Sequence, residues 1–277
     1  GSMRAPGNVA GQDAASTAKA ADDDMSGGWF EEAICRNCDA PLASPYCGQC
    51  GQKAAQRLCL TDIGKESWER LRLFEKDSAQ TLWRLIVSPG RVARDYVLGK
   101  RASHMHPLKL LVALVAVLVL VLAASRYFQH FDFTGRSRDV DLMAERVMAY
   151  ANWSFTLGIV AIFLGSWIGF GRRLGYNAVE HGVLAVYCQN LILAVVILNL
   201  LPTLLWHDPA FVLTHKRVSG YYLNAIKLGV VAVAYAQFFR LELARDWPRL
   251  VFASLVYAFA SWGLLRVYAA AILWIVT

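Results

Sequence analysis

Hydrophobic positions along this chain fall into two regimes. From about residue 108 onward they come in blocks of about twenty with few charges between block ends, the signature of bilayer-spanning helices and not of a soluble core. The blocks read as spans over 108–125, 153–170, 181–205, 219–239 and about 251 to the chain end. Asn190 and Asn199 lie inside the third, with Pro202 near its end. Between the first two, residues 126–152 carry mixed charge and an amphipathic turn at Val140, Met143, Val147 and Met148.

Upstream the period changes. Leu60, Ile63, Trp68, Leu71, Phe74, Ser78, Leu82 and Leu85 recur at helical spacing, with Thr61 placed to cap and charges on the opposite face. The pattern predicts an amphipathic helix over 60–87. Such a helix lies on a membrane surface, with Trp68 and Trp83 at headgroup level, or packs on the membrane domain, and amphipathicity does not choose between them. Ser88-Pro89-Gly90 is a helix-start signal, and a second short helix from Arg91 to Leu98 ends at Gly99. Arg91, Arg94, Lys100, Arg101 and Lys109, with His104 and His106, surround the entrance to the first span. Residues 1–28 are mostly Ala, Gly, Ser and Asp, cannot offset their own ordering entropy, carry no export signature and read as a disordered tail. Gly1-Ser2 ahead of Met3 reads as a cloning scar.

Composition agrees with a membrane chain: 277 residues, 56% hydrophobic and 18% charged. The net charge of +7 is no nucleic-acid signal, because Lys and Arg collect at the ends of the apolar blocks. A cytoplasmic N-terminus puts 29–107, 171–180 and 240–249 inside, together with Arg172-Arg173, Arg240, Arg245 and Arg249. Only Lys216 and Arg217, in the loop after His207-Asp208, go against that orientation.

The strongest chemical signal is Cys35-Arg-Asn-Cys38 followed by Cys47-Gly-Gln-Cys50-Gly51. Two Cys-x-x-Cys pairs close a tetrahedron around one ion and leave no open position, which is the pattern of a structural zinc site. Two pairs with glycine turns and no βαβ context disfavour a thiol–disulfide motif, and a four-cysteine iron site is the less common alternative. Zinc-ligating thiolates belong in a reducing cytoplasm, in agreement with the charge pattern. Gly48 and Gly51 are expected to supply positive φ, and Leu42 and Tyr46 to cover the metal. Arg36, Lys53 and Arg57 lie near the ribbon without the alternating aromatics of a nucleic-acid platform, which makes nucleic acid an improbable partner.

Inside the spans, Lys227 and Arg266 are costly cations. Asn199 falls at a similar height, and Asn224 is one turn from Lys227. If these helices neighbour one another, Asn199, Asn224, Lys227 and Arg266 form an anionic-ligand site, for instance for a lipid phosphate. The weightier competing reading is that the two long side chains snorkel to headgroups independently. Glu180-His181 opens the third span as a salt-bridged helix start or, alternatively, as the acid–base pair of an intramembrane enzyme. His104 and His106 read as interfacial residues, and Gln189 and Asn190 as interhelical hydrogen-bonders. No phosphate loop, nucleophile elbow or His-Glu-x-x-His is present. Gly158, Gly165 and Gly169 would permit close helix approach, including in a homo-oligomer.

The knuckle ending Tyr46-Cys-Gly-Gln-Cys-Gly-Gln52 and the run Thr81-Leu-Trp-Arg-Leu-Ile-Val-Ser-Pro89-Gly90, continuing through Tyr96, Gly99-Lys-Arg101 and Pro107-Leu108, resemble a bacterial membrane family known as a domain of unknown function. The resemblance covers roughly residues 35–112 and implies an inner-membrane protein with a cytoplasmic zinc ribbon; the charge pattern over five spans places the C-terminus in the periplasm. Five spans with an inside N-terminus are also similar in topology to Yip1-type membrane proteins. The expectation is therefore an all-α polytopic membrane protein of about five spans. Its parts are a tail (1–28), a zinc ribbon (29–53), juxtamembrane helices (54–107) and a transmembrane domain (108–277). Its expected work is non-catalytic, binding or moving an anionic lipid or solute while the ribbon meets a cytoplasmic protein partner or headgroups. A scaffold or assembly factor without a small ligand, and an enzyme using Glu180 and His181, are the alternatives.

Overall fold

The computed structural model describes residues 28–60, 76–124 and 154–276. Thr61, the stripe from Ile63 to Phe74, and the turn at 140–148 lie outside the described residues, as does the tail as far as residue 27. Among the described residues the chain is helical apart from two isolated antiparallel bridges in the cysteine-rich segment, Ile34 with Pro41 and Tyr46 with Lys53.

The described residues hold seven α-helices: α1 (Lys76–Val87), α2 (Pro89–Val97), α3 (Pro107–Ala124), α4 (Ser154–Phe170), α5 (Ala178–Leu205), α6 (Pro209–Phe238) and α7 (Leu243–Val276). Three are long and apolar enough to cross a membrane: α3, α5 and the Leu243–Ala271 stretch of α7. Helix α4 is apolar but has 17 residues, and α6 carries Asn224, Lys227 and Gln237 in its second half. The central helix is α5, with 72% of its span buried inside the protein against 11% for α7.

Several boundaries differ from the sequence expectation. Helix α6 starts ten residues early, at Pro209, because the Asp208 carboxylate accepts from the Phe211 N–H at 3.1 Å and Pro209 is pre-set for the first helical position. His215, Lys216 and Arg217 are therefore helical and not in a loop. Helix α7 begins at Leu243 and runs through Pro248. Ser88 occupies the N-cap of α2 but makes no side-chain cap bond. Gly99, at φ 107°, does stop the chain after α2, as its sequence position suggested.

Five helices alternate in direction, so that the starts of α3, α5 and α7 and the ends of α4 and α6 share the end of the bundle that carries the cysteine ribbon. We call this the near end. Helices α1 and α2 plug it. Gly90 of α2 lies against the Ala234 carbonyl, with a virtual Cβ only 2.7 Å from both Gln237 Cβ and Phe238 N. Its own N–H donates to Gln237 Oε1 at 3.0 Å. In α1, Leu85 is fully buried, and the Thr81 hydroxyl accepts from the Met105 N–H at 3.1 Å. The amphipathic segment described here therefore packs on the bundle, while Trp83 stays exposed.

An aromatic layer seals the near half. Tyr96, Tyr176, Tyr187, Tyr235, Phe238 and Phe239 are all fully buried. Phe170 stacks on Phe239 at 4.3 Å, and Tyr96 meets Tyr187 edge-on at 5.7 Å. The phenols find carbonyls: Tyr187 donates to Met105 O at 2.7 Å and Tyr235 to Ile162 O at 2.6 Å. The three glycines of α4 are used inside the chain. Gly158 seats Gln189, Gly165 seats Tyr235 and Ala253, and Gly169 seats Ala253.

Candidate functional site

The cysteine ribbon is two copies of one turn. In the first, Cys35 N–H donates to Ala40 O and Asp39 N–H to Cys35 O; in the second, Cys47 N–H donates to Gln52 O and Gly51 N–H to Cys47 O, all at 2.8–2.9 Å. Each turn closes on a left-handed residue, Asp39 (φ 59°) and Gly51 (φ 72°). Gly51 thus fulfils its expected role. Gly48 is not among the positive-φ residues, and Asp39, a residue type that tolerates the left-handed region, fills the matching position of the first turn.

The turns aim all four sulfurs inward, and Cys35, Cys38, Cys47 and Cys50 present Sγ atoms within 4.8 Å of one another. Cys35–Cys50 is 3.6 Å and Cys38–Cys47 is 3.5 Å. A tetrahedron of 2.3 Å zinc–sulfur bonds has edges of about 3.8 Å, so the donor set fits a closed four-thiolate ion. Backbone N–H groups of Cys50 and Gln49 hold the Cys47 thiol down to about 6, and that of Gln52 lowers Cys50. The Ala40 N–H favours the Cys38 thiolate too, but burial and the neighbouring sulfurs push it up to about 12. A divalent cation would supply the charge that keeps all four sulfurs as thiolates. Leu42 packs against the cluster, whereas Tyr46 is 59% exposed and does not cover it.

The ribbon does not hang free. Gln52, 9% exposed, spans the α2–α3 loop: its Nε2 donates to Gly99 O at 2.7 Å, and its Oε1 accepts from Arg101 N at 3.1 Å and Ala102 N at 2.8 Å. Trp29 Nε1 donates to Leu98 O at 3.1 Å, and Ser103 Oγ to Asn37 Oδ1. Arg36 lies over the Trp29 ring at 4.0 Å and pairs with Glu32 at 2.7 Å. Downstream, Leu58 enters the main core, and Arg57 pairs with Glu180 at 3.2 Å and reaches Gly175 O. Two of the three basic residues near the ribbon are therefore engaged within the chain.

Glu180 and His181 are fully buried. Asn177 and Glu180 form a reciprocal capping box at the start of α5: Glu180 N–H donates to Asn177 Oδ1 at 3.0 Å and Asn177 N–H to Glu180 Oε2 at 2.6 Å. His181 Nδ1 bonds Ser166 Oγ, and Nε2 bonds Gly171 O at 2.7 Å. Both residues are committed to holding α4, α5 and the ribbon strap together, with no open face toward a substrate.

The far half holds a cavity of about 740 Å³ between α3, α4, α5, α6 and α7, within the range of ligand sites. Lys227 and Asn199 line it, together with Gln189, His215, Lys216 and Tyr257. The α6 wall is one face: Lys216, Ser219, Leu223 and Lys227 step by three or four residues, with Gly220 beside them. Asn224 lies one step off that row and is exposed. Arg266 is exposed on α7, its guanidinium 5.2 Å from the Trp262 ring centre. Of the four residues expected to converge, two share a cavity.

Asn199 is not level with Lys227. Its carbonyl accepts from His215 Nε2 at 2.8 Å and its Oδ1 accepts from the Tyr222 hydroxyl, both nearer the far end. Gln189 matches Lys227 instead: each lies eleven residues from the near end of its helix, about 16 Å at 1.5 Å per residue. Lys216 is eleven residues farther out on the same face. Among the described residues no carboxylate pairs with Lys227. Sequence reading missed Lys216 as a wall residue because it placed it in a loop, and Gln189 because it assigned the amide to interhelical hydrogen bonding; the 216–219–223–227 spacing was the available signal for the α6 wall.

Among the described residues, fold and site together define a helical protein with three helices able to cross a membrane and a four-cysteine cluster able to hold a metal ion. A family model described as a protein of unknown function (DUF3667) matches residues 78–119, from within α1 through most of α3. The matched segment contains the α2 plug and the loop that Gln52 grips. No curated protein and no solved structure matches the chain.

Proposed function

We propose that this chain is a polytopic protein of the bacterial inner membrane that binds, and in binding can move, an anionic lipid or solute in its far-half cavity. Zinc is the ion we assign to Cys35, Cys38, Cys47 and Cys50. Five spans are supported by the alternating directions of α3, α4, α5, α6 and α7 and by the basic residues at the near end, which favour a cytoplasmic ribbon and a periplasmic far end.

The observation that carries this reading is Lys227. A half-buried ammonium on the wall of a largely apolar cavity, without a carboxylate among the described residues, is stabilised by an anion that enters the cavity. Glu180 and His181 are accounted for by helix capping and packing, which favours a non-catalytic role. The docked ribbon serves to brace the near-end plug and leaves its outer face for a partner protein or headgroups.

The test compares lipids carried through purification in a mild neutral detergent. Lys227→Met should lose the anionic lipid that the unmodified protein retains, whereas Arg266→Met, on the outer surface, should keep it. Equal retention in Lys227→Met and the unmodified protein sinks the reading.

A further inference from the structure

The chemistry of the cavity narrows its ligand class, in a step that rests on the anion-binding reading above. Its polar groups are not gathered in one place. Lys227 lies at the inner end with Gln189 and Tyr257, while His215 and Lys216 lie toward the far end, with about 16 Å between the two lysines along α6. Between them the walls are hydrocarbon: Val196 and Ile192 from α5, Leu223 from α6, and Val115, Leu118 and Leu122 from α3.

A small hydrated anion does not suit this shape. Phosphate or sulfate needs several convergent donors to replace its water, and the inner end offers one ammonium, one amide and one phenol. The anion would also leave most of the cavity facing hydrocarbon without apolar contact, where dispersion and hydrophobic burial contribute nothing. An acidic group carried on a hydrocarbon chain satisfies both halves: the acid accepts from the inner donors, and the chain fills the apolar length toward the far end. The inner end is closed by the aromatic layer, with Tyr187 and Tyr235 fully buried beneath it, so the ligand does not leave toward the near end.

We propose that the cavity takes an anionic amphiphile, a phosphate or carboxylate on an alkyl chain, with its acidic group against Lys227, Gln189 and Tyr257 and its chain along α3, α5 and α6 toward the far end. Lys216 at the outer stretch then attracts the anion before it descends. The acid can belong to a membrane phospholipid or to a free single-chain amphiphile.

The test uses the full chain, delipidated in a neutral maltoside detergent, with binding followed by native mass spectrometry and thermal shift. The probes are dodecyl phosphate, phosphatidylglycerol in mixed micelles, and inorganic phosphate as competitor. We expect one amphiphile per chain, no displacement by a hundredfold excess of inorganic phosphate, and a loss of about tenfold or more in affinity for Lys227→Met. Lys227→Arg should recover binding, which separates lost charge from lost folding. Binding of dodecyl phosphate identifies a single-chain ligand, and binding of phosphatidylglycerol alone identifies a membrane lipid; either supports the class. Equal competition by inorganic phosphate overturns the amphiphile while leaving anion binding intact. A larger loss in Lys216→Met than in Lys227→Met overturns the inward orientation of the acid. Binding of none of the three probes removes both this inference and the function on which it rests.

Discussion

Replacing Gln52 with Leu should detach the ribbon from the bundle without removing a metal ligand. The amide makes three hydrogen bonds to one loop, to Gly99 O, Arg101 N and Ala102 N, and is 9% exposed. Leu keeps comparable bulk but leaves the carbonyl of buried Gly99 without its partner, at about 1–3 kcal/mol. The two N–H groups lie at a more exposed stretch of the loop, where water replaces part of the loss, at about 0.5 kcal/mol each. The sum is about 2–4 kcal/mol, which corresponds to a rise in local opening on the order of 30- to 700-fold. Hydrogen–deuterium exchange of peptides covering residues 98–107 reads this directly. Exchange within about threefold of the unmodified protein would refute the docking role of Gln52. With an ion held by the four cysteines, chelation should open the same peptides, because the second Cys-x-x-Cys turn presents Gln52.

Further outcomes follow from other contacts. Gly90→Ala should destabilise the near end by at least about 1–3 kcal/mol, because the new Cβ meets backbone atoms of α6 that cannot give way; a lowered melting temperature with altered protease sensitivity of α1 and α2 checks it, and an unchanged melt contradicts the packing. Arg57→Ala should cost about 1–3 kcal/mol by leaving the buried Glu180 carboxylate without its cation, and Glu180→Gln should recover part of that loss in the double variant. Burial, with Lys109 and Arg101 nearby, holds His106 down to about 4 from its ordinary 6.5. The unfolded chain therefore binds the extra proton first, so this contribution to stability is complete above about pH 6.5 and is lost as pH falls toward 4. Melting curves at pH 7.5 and 5 should converge on a smaller difference in His106→Gln than in the unmodified protein.

Much of this architecture was legible in the chain because its signals are local. Apolar block length marks helix interiors irrespective of neighbours, and Cys-x-x-Cys spacing brings thiolates together within one turn. Gly99 stops a helix wherever it stands. The parts that escaped depend on partners far away in sequence. Gln52 looks like any polar residue after a knuckle until Gly99 and Arg101 are placed beside it, and Arg57 looks like a surface charge until Glu180 is 3.2 Å away. Asn177 was readable as the first half of an Asn-x-x-Glu capping box but was outweighed by the block boundary at 181. The start of α6 shifted for the same reason: a hydropathy edge at 219 competed with the Asp208-Pro209 cap, and the cap determines where a helix begins. Arg266 shows the limit of height arguments, since residues at one depth meet only if their helix faces do.

Native mass spectrometry of the intact protein, released from a mild neutral detergent, tests the central reading most directly. The expected spectrum shows one zinc per chain and one retained anionic lipid or amphiphile, with the anion lost and the zinc kept in Lys227→Met. A chain that carries zinc but no anion, or one whose anion survives the loss of Lys227, would contradict the assignment of the far-half cavity as the binding site.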